Sequence, residues 1–160
     1  YVNGWTGNIE KGVPGDVQRW LDHFEVLGWT QERKHILQWM AFTLRHPEQK
    51  INHMLILGGG EGNGKDFILY PLLNAMRSDR KIVNGDEMLR DFDDYLLGTK
   101  YLHVNEADLG YRKEAEAIHN KLKPICAAPP DTLRVNQKGI KPVDIRNIVN
   151  GSMTSNQTES

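Results

Sequence analysis

The feature that most constrains this chain is the run Gly59-Gly60-Glu61-Gly62-Asn63-Gly64-Lys65-Asp66, which satisfies G-x-x-x-x-G-K. Its setting matters as much as its letters. Before it, Met54-Leu55-Ile56-Leu57 is a short apolar run with polar and glycine-rich flanks, which predicts a buried parallel strand. After it, the pattern from about Lys65 to Met76 predicts a helix. Glycines let backbone N–H groups turn inward and approach phosphate oxygens without interference from a Cβ. The helix N-terminus adds partial positive charge at the same spot. Lys65 would reach the β- and γ-phosphates of a bound nucleotide. A glycine turn that binds nothing would need strand, loop, lysine and helix to fall in register by coincidence.

The last position departs from the usual form, because Asp66 stands where a Ser or Thr hydroxyl normally ligates Mg²⁺. A carboxylate can also ligate Mg²⁺ and suits the first turn of a helix, although it adds negative charge beside a polyphosphate. A P-loop enzyme needs a second acid at a strand end, to hold Mg²⁺ through water or to activate the attacking water. The apolar run Tyr101 to Val104 ends in Asn105-Glu106-Ala107-Asp108. Glu106 is the first candidate for that acid and a second candidate Mg²⁺ ligand, with Asp108 in reserve. Asn105 takes the place where many such enzymes carry a first acid. The stretch Met153-Thr154-Ser155-Asn156 closes a further strand, and Asn156 could position water at its tip. Taken singly, an acid after a strand is often only a loop residue, and an Asn there is often only a turn.

The rest of the chain places these groups. An irregular arm, Tyr1 to Gly15, precedes a helix from Asp16 carrying Trp20, Leu21, Phe24 and Leu27 and stopped by Gly28. Thr30 is the expected N-cap of a second helix carrying Ile36, Leu37, Trp39, Met40, Phe42 and Leu44, which ends near His46 ahead of Pro47. Trp20, Trp39 and Phe42 read as helix-packing core. Lys81 to Val83 predicts a weak strand, Glu87 to Leu97 a helix, and Glu114 to Leu122 another. Asp131 to Asp144 alternates around Asn136-Gln137-Lys138-Gly139 as a β-hairpin, and Ile145 to Thr154 predicts a last strand. Strands alternating with helices after a helical start give an α/β layered fold with a mostly parallel sheet. Residues 1–48 form an arm and helical segment, and 49–160 a P-loop NTPase core.

Composition excludes several classes. At 160 residues the chain is one domain, with 39% hydrophobic content that suffices for a core. No apolar run approaches bilayer length and no signal peptide opens the chain, so a cytoplasmic setting is expected. Cys126 is the single cysteine and can form no internal disulfide. The histidines His23, His35, His46, His53, His103 and His119 show no zinc-like spacing. The net charge of −1 carries no nucleic-acid signature, but Arg112, Lys113, Lys121, Lys123, Arg134, Lys138, Lys141 and Arg146 make the C-terminal third locally basic. On charge alone, a solvated surface is the favoured reading of that third.

The order P-loop, Asn-Glu strand end, Lys-Gly hairpin and Thr-Ser-Asn resembles the AAA+ type superfamily 3 helicases of viruses, phages and plasmids, above all the helicase portion of phage primase-helicase (primase-polymerase) proteins. The N-terminal flank, with Asn3, Trp5, Gly7, Pro14-Gly15-Asp16, His23-Phe24, Trp39, His46-Pro47 and Lys50-Ile51-Asn52-His53, is similar to the segment joining primase and helicase parts. The resemblance implies ATP and Mg²⁺ as cofactors, a homo-hexameric ring with ATP between neighbours, a primase domain on the same polypeptide, and single-stranded DNA as partner. It implies that Lys138 at the hairpin tip touches the DNA backbone, with Arg134 and Lys141 as weaker candidates, through salt-sensitive phosphate contacts. It also implies an arginine finger beyond Asn156, for which this sequence offers no candidate, so the chain reads as part of a longer protein. Two rivals stay open: a P-loop small-molecule or nucleoside kinase, and a nucleotide-binding replication module that does not hydrolyse.

Overall fold

The computed structural model describes residues 12–107, 112–127 and 131–156. Two helices, α1 (Gln18–Val26) and α2 (Arg33–Arg45), lead into strand β1 (Leu55–Gly58) and helix α3 (Lys65–Met76). Strand β2 (Arg80–Asn84), a single helical turn α4 (Gly85–Met88), strand β3 (Tyr101–Asn105) and helix α5 (Arg112–Cys126) follow. The hairpin β4 (Thr132–Gln137) and β5 (Ile140–Arg146) precedes the last strand β6 (Asn150–Ser155). The four strands of the main sheet are all parallel, in the order β1-β6-β3-β2, and β4 and β5 pair antiparallel as a separate sheet.

Alternation along the strands divides the core into two layers. On one face, Leu55, Leu57 and Tyr101 meet Phe24, Ile36, Trp39 and Met40 of the first two helices and Ile68, Leu69, Leu72, Leu73 and Met76 of α3. On the other, Val83, Leu102, Val104 and Met153 meet Ile118, Leu122 and Ile125 of α5 together with Leu133 and Val135 of the hairpin. The amino-terminal helices therefore share a core with the sheet. Among the described residues no helix is long and apolar enough to cross a membrane.

Helix α3 begins and ends where the sequence predicts, and α2 closes at His46 before Pro47. Several expectations need correction. Helix α1 starts at Gln18, with the Asp16 carboxylate accepting the Gln18 N–H at 2.9 Å. Thr30 does not cap α2; Glu32 is the N-cap residue and makes no side-chain capping bond. Phe42 is 37% exposed and is not core, whereas Trp39 is buried against Tyr101. Strand β1 is half buried rather than buried, with Ile56 60% exposed, because β1 is an edge of the sheet among the described residues.

The expected helix from Glu87 to Leu97 is the largest miss. Only α4 and a 3-10 turn at Asp94–Leu96 form. The intervening backbone is held from outside: the Asp93 N–H donates to the Asn136 carbonyl of the hairpin, while Lys121 donates to the Arg90 carbonyl and the Asp93 carboxylate. Tertiary bonds override the local helical pattern there. The last strand starts at Asn150 rather than Ile145, since Ile145 and Arg146 complete the hairpin by pairing with Leu133 and Thr132. Asn147 turns the chain between them, donating from its amide to the carbonyls of Pro124 and Ala127.

Lys50, from the α2–β1 connection, ties this turn together. Its ammonium donates to the Ile125 carbonyl, to Asn147 Oδ1 at 3.0 Å and to the Val149 carbonyl at 3.2 Å. Removing it takes one donor from three acceptors in a half-buried place. Lys50→Ala should lower the free energy of unfolding by about 2 kcal/mol, measured by urea denaturation.

Candidate phosphate-binding site at the strand tips

Parallel pairing fixes which strand ends lie together. Gly58 at the end of β1 pairs with Ser155 of β6, and Val104 near the end of β3 pairs with Met153. The Gly59 N–H continues the ladder to the Ser155 carbonyl at 3.2 Å, and the Ala107 N–H to the Thr154 carbonyl at 3.0 Å. The loop after β1, Glu106 and Asn156 therefore leave the same edge of the sheet. This is the carboxyl end of a parallel sheet, the usual place for a ligand in open α/β folds.

The loop is braced from within. Asn63 Oδ1 accepts the Lys65 N–H at 3.2 Å, and the Asn63 amide occupies the space where a Cβ on Gly59 would sit, 2.4 Å from that point. Gly60, Glu61 and Gly62 are exposed at the mouth. Gly64 adopts φ +81° as the N-cap of α3, a left-handed conformation that suits glycine.

Lys65 is the centre of the arrangement. Its side chain is drawn inward until the residue is only 4% exposed, and its ammonium donates to Asn156 Oδ1 at 2.5 Å and to the Gly60 carbonyl at 3.4 Å. Both acceptors are neutral, and no carboxylate pairs with this ammonium among the described residues. A buried cation held only by dipoles favours an incoming anion, and a polyphosphate on the loop amides would supply one. The glycine cradle and the sunken lysine thus have the chemistry to hold a polyphosphate.

Of the other candidates, Asp66 is exposed in the first turn of α3 and Glu106 is exposed at the tip of β3. Glu106 takes φ +49°, an uncommon conformation for a residue with a side chain. That kink lets Ala107 return to the sheet while the glutamate projects at its end. Asn105 does not face the loop as a free group, because its Oδ1 accepts the Thr154 hydroxyl at 3.3 Å. Asp108 lies outside the described residues. No group of three His, Cys, Asp or Glu side chains among the described residues could hold a metal alone. Asp66 and Glu106 have the right donor chemistry for a Mg²⁺ ion that brings phosphate and water ligands with it.

The hairpin stands in the opposite layer from α3. Lys138 and Gly139 form its tip, and Lys138 is exposed. Arg134 pairs with Asp144 in the hairpin, and the register shifts between Val135 and Gln137, opposite Lys141.

The sequence pattern missed a buried polar chain under the site. The Tyr101 hydroxyl and Ser152 Oγ lie 2.5 Å apart, and Ser152 Oγ lies 2.8 Å from His103 Nδ1. Burial holds the His103 imidazole below the ordinary histidine value of 6.5, opposed by the Asp66 carboxylate, which raises it. Period-two alternation places Tyr101 and His103 on one face, but nothing in the sequence shows that Ser152 joins them.

The relatives bear on this architecture. A family model described as "Family of unknown function (DUF5906)" matches residues 56–160. The chain is 30% identical over 124 residues to a DNA primase-polymerase of Nitratiruptor phage NrS-1, an alignment that takes in 76% of this chain and 17% of that protein. Two solved structures of the NrS-1 C-terminal region superpose with TM-scores of 0.74 and 0.69, at 23% and 22% identity. They cover 92% and 91% of this chain and 35% and 34% of theirs. The chain thus spans about a sixth of the curated relative and about a third of the solved region. The superposition shows a common fold of parallel sheet, flanking helices and hairpin.

A pH dependence follows from His103. Its folded pKa lies below its unfolded one, so the folded protein resists taking up that proton. The stability held by the neutral ring is complete above about pH 7 and declines as pH falls below 6.5. Thermal melts between pH 7 and pH 5 should show a falling midpoint in the wild type and a shallower fall in His103→Gln.

Proposed function

The chain belongs to the DUF5906 family, and we propose that it is the ATP-binding core of a replication helicase that moves along single-stranded DNA. The observation that carries this reading is Lys65, a buried ammonium beside a glycine loop, bonded among the described residues only to the Gly60 carbonyl and to Asn156 at the tip of the central strand. The similarity to a phage DNA primase-polymerase supports the replication setting.

In this reading the loop from Gly59 to Asp66 binds ATP through its backbone N–H groups. Lys65 exchanges its neutral acceptors for the β- and γ-phosphate oxygens. Asn156, freed from Lys65, positions the attacking water, and Glu106 accepts its proton. Mg²⁺ would neutralise charge on the phosphate oxygens, and Asp66 and Glu106 are the carboxylates that would hold it. Lys138 at the hairpin tip meets the DNA backbone, with Arg134 and Lys141 in lesser roles, and in a hexameric ring a neighbouring subunit would supply a further cation to the site. A primase domain would share the polypeptide.

Asp66 in place of a hydroxyl favours a second reading, a nucleotide-binding replication module without turnover. A kinase fits less well, because the basic residues lie on a hairpin across the sheet rather than over the loop.

Calorimetric titration with MgATP tests the binding claim. The wild-type chain should bind, and Lys65→Ala should weaken binding roughly 100-fold, as expected for loss of a charge-assisted phosphate contact. A wild-type chain that takes up no MgATP would count against the proposal. Glu106 separates turnover from binding: Glu106→Gly should raise stability by about 1 kcal/mol through relief of its left-handed backbone, yet abolish hydrolysis in a preparation where the wild type turns over. Binding without hydrolysis in the wild type, even with DNA present, would favour the module.

A further inference from the structure

Helix α3 contains a proline at Pro71. A proline has no backbone N–H, so the carbonyl four residues earlier, that of Phe67, loses its helical donor. A side chain from α1 replaces it: the Trp20 indole N–H donates to the Phe67 carbonyl at 3.2 Å. One turn further along α1, the His23 Nε2 lies 3.1 Å from the Gly64 carbonyl. A carbonyl only accepts, so Nε2 carries the proton in that bond. The His23 ring also stands edge-on to the Phe67 ring, with centroids 5.3 Å apart.

Gly64 is shaped to this neighbour. A Cβ there would fall 2.6 Å from His23 Nε2 and 2.9 Å from Cε1. The last glycine of the loop thus answers both to its own φ and to the ring that fills the space beside it. Trp20 is itself anchored, edge-to-face against the fully buried Phe24. Two side chains one helical turn apart therefore grip the two carbonyls that flank Lys65 and Asp66.

We propose that Trp20 and His23 are positioning residues for the phosphate loop, clamping the backbone of the first turn of α3 and so linking the 18–26 helix to occupancy of the site. The linkage to occupancy rests on the reading of that loop as nucleotide-binding; the clamp itself does not. Ordering the loop in advance lowers the entropic cost of binding phosphate, and bound phosphate in turn strengthens the grip of α1.

Hydrogen–deuterium exchange on the nucleotide-free chain tests the clamp directly. Trp20→Phe, which keeps a ring and removes the N–H, and His23→Ala should each speed exchange of the Phe67 to Leu69 amides about five- to tenfold. Amides of β3 and β6 should keep their wild-type rates. His23→Gln, whose amide can still donate, should recover part of the loss. Pro71→Ala restores the helix's own donor, so Trp20→Phe should have a smaller effect in that background than in the wild type. Calorimetry with MgATP should show about tenfold weaker binding in His23→Ala, with Lys65→Ala as the control that removes the phosphate contact. Wild-type exchange in Trp20→Phe and His23→Ala would overturn the clamp, as would acceleration spread evenly over β3 and β6. A wild-type chain that binds no MgATP would sink the nucleotide reading and its linkage, while the exchange pattern still decides whether the clamp exists.

Discussion

The site depends on a strand that looks ill suited to a sheet. Strand β6, Asn150-Gly151-Ser152-Met153-Thr154-Ser155, is buried at every position and lies between β1 and β3. Small and polar residues can occupy that place because each meets a specific need. A Cβ on Gly151 would stand 2.9 Å from the Leu102 carbonyl and 2.7 Å from the Met54 methyl, so the strand could not come this close with a larger residue. Asn150 accepts the Ile51 N–H and donates to the Gln49 carbonyl. Ser152 joins Tyr101 and His103, and Thr154 donates to Asn105. Buried polar groups satisfied in this way fix register as well as contributing stability. Register is what delivers Asn156 to Lys65.

The parts of the fold legible in the sequence were those whose pattern is local. The glycine loop and α3 could be read because a strand, a turn and a helix each leave their own mark within twenty residues. The hairpin followed from alternation around Lys138 and Gly139. Strand β6 was misplaced because it has almost no apolar residues to count: its partners, from Gln49 to Asn105, are distant in sequence. The segment after β2 failed for a related reason. Its carboxylates suggest a helix start at Glu87, but Asn136 and Lys121 capture the backbone around Asp93. Phe42 failed because periodicity places a residue on a face without saying how far the neighbouring layer extends.

The candidate site divides along the same line. Lys65 and the loop are candidates by type and spacing, and Lys65 donates to Asn156 at the tip of β6. The roles of Trp20 and His23 could not be read, since a tryptophan at i and a phenylalanine at i+4 indicate core whether or not the indole has a polar task. Pro71 was the one available signal. A proline inside a helix leaves a carbonyl unpaired, and a nearby indole is a donor of the right reach.

The replacement of a hydroxyl by Asp66 has a physical context in these neighbours. An exposed carboxylate in the first turn of α3 lies in the favourable field of the helix N-terminus. Behind it His103, buried and hydrogen-bonded through Ser152 to Tyr101, is the ionisable group that responds to its charge. A polyphosphate arriving at Lys65 would add negative charge beside Asp66, and only a cation can relieve both at once. Metal and nucleotide would therefore bind as a pair at this site, each weak without the other. A Ser or Thr at the same position would lack that coupling, since a neutral hydroxyl neither repels the phosphate nor requires the metal. In that reading the carboxylate would make phosphate binding more dependent on the divalent ion, through charge alone.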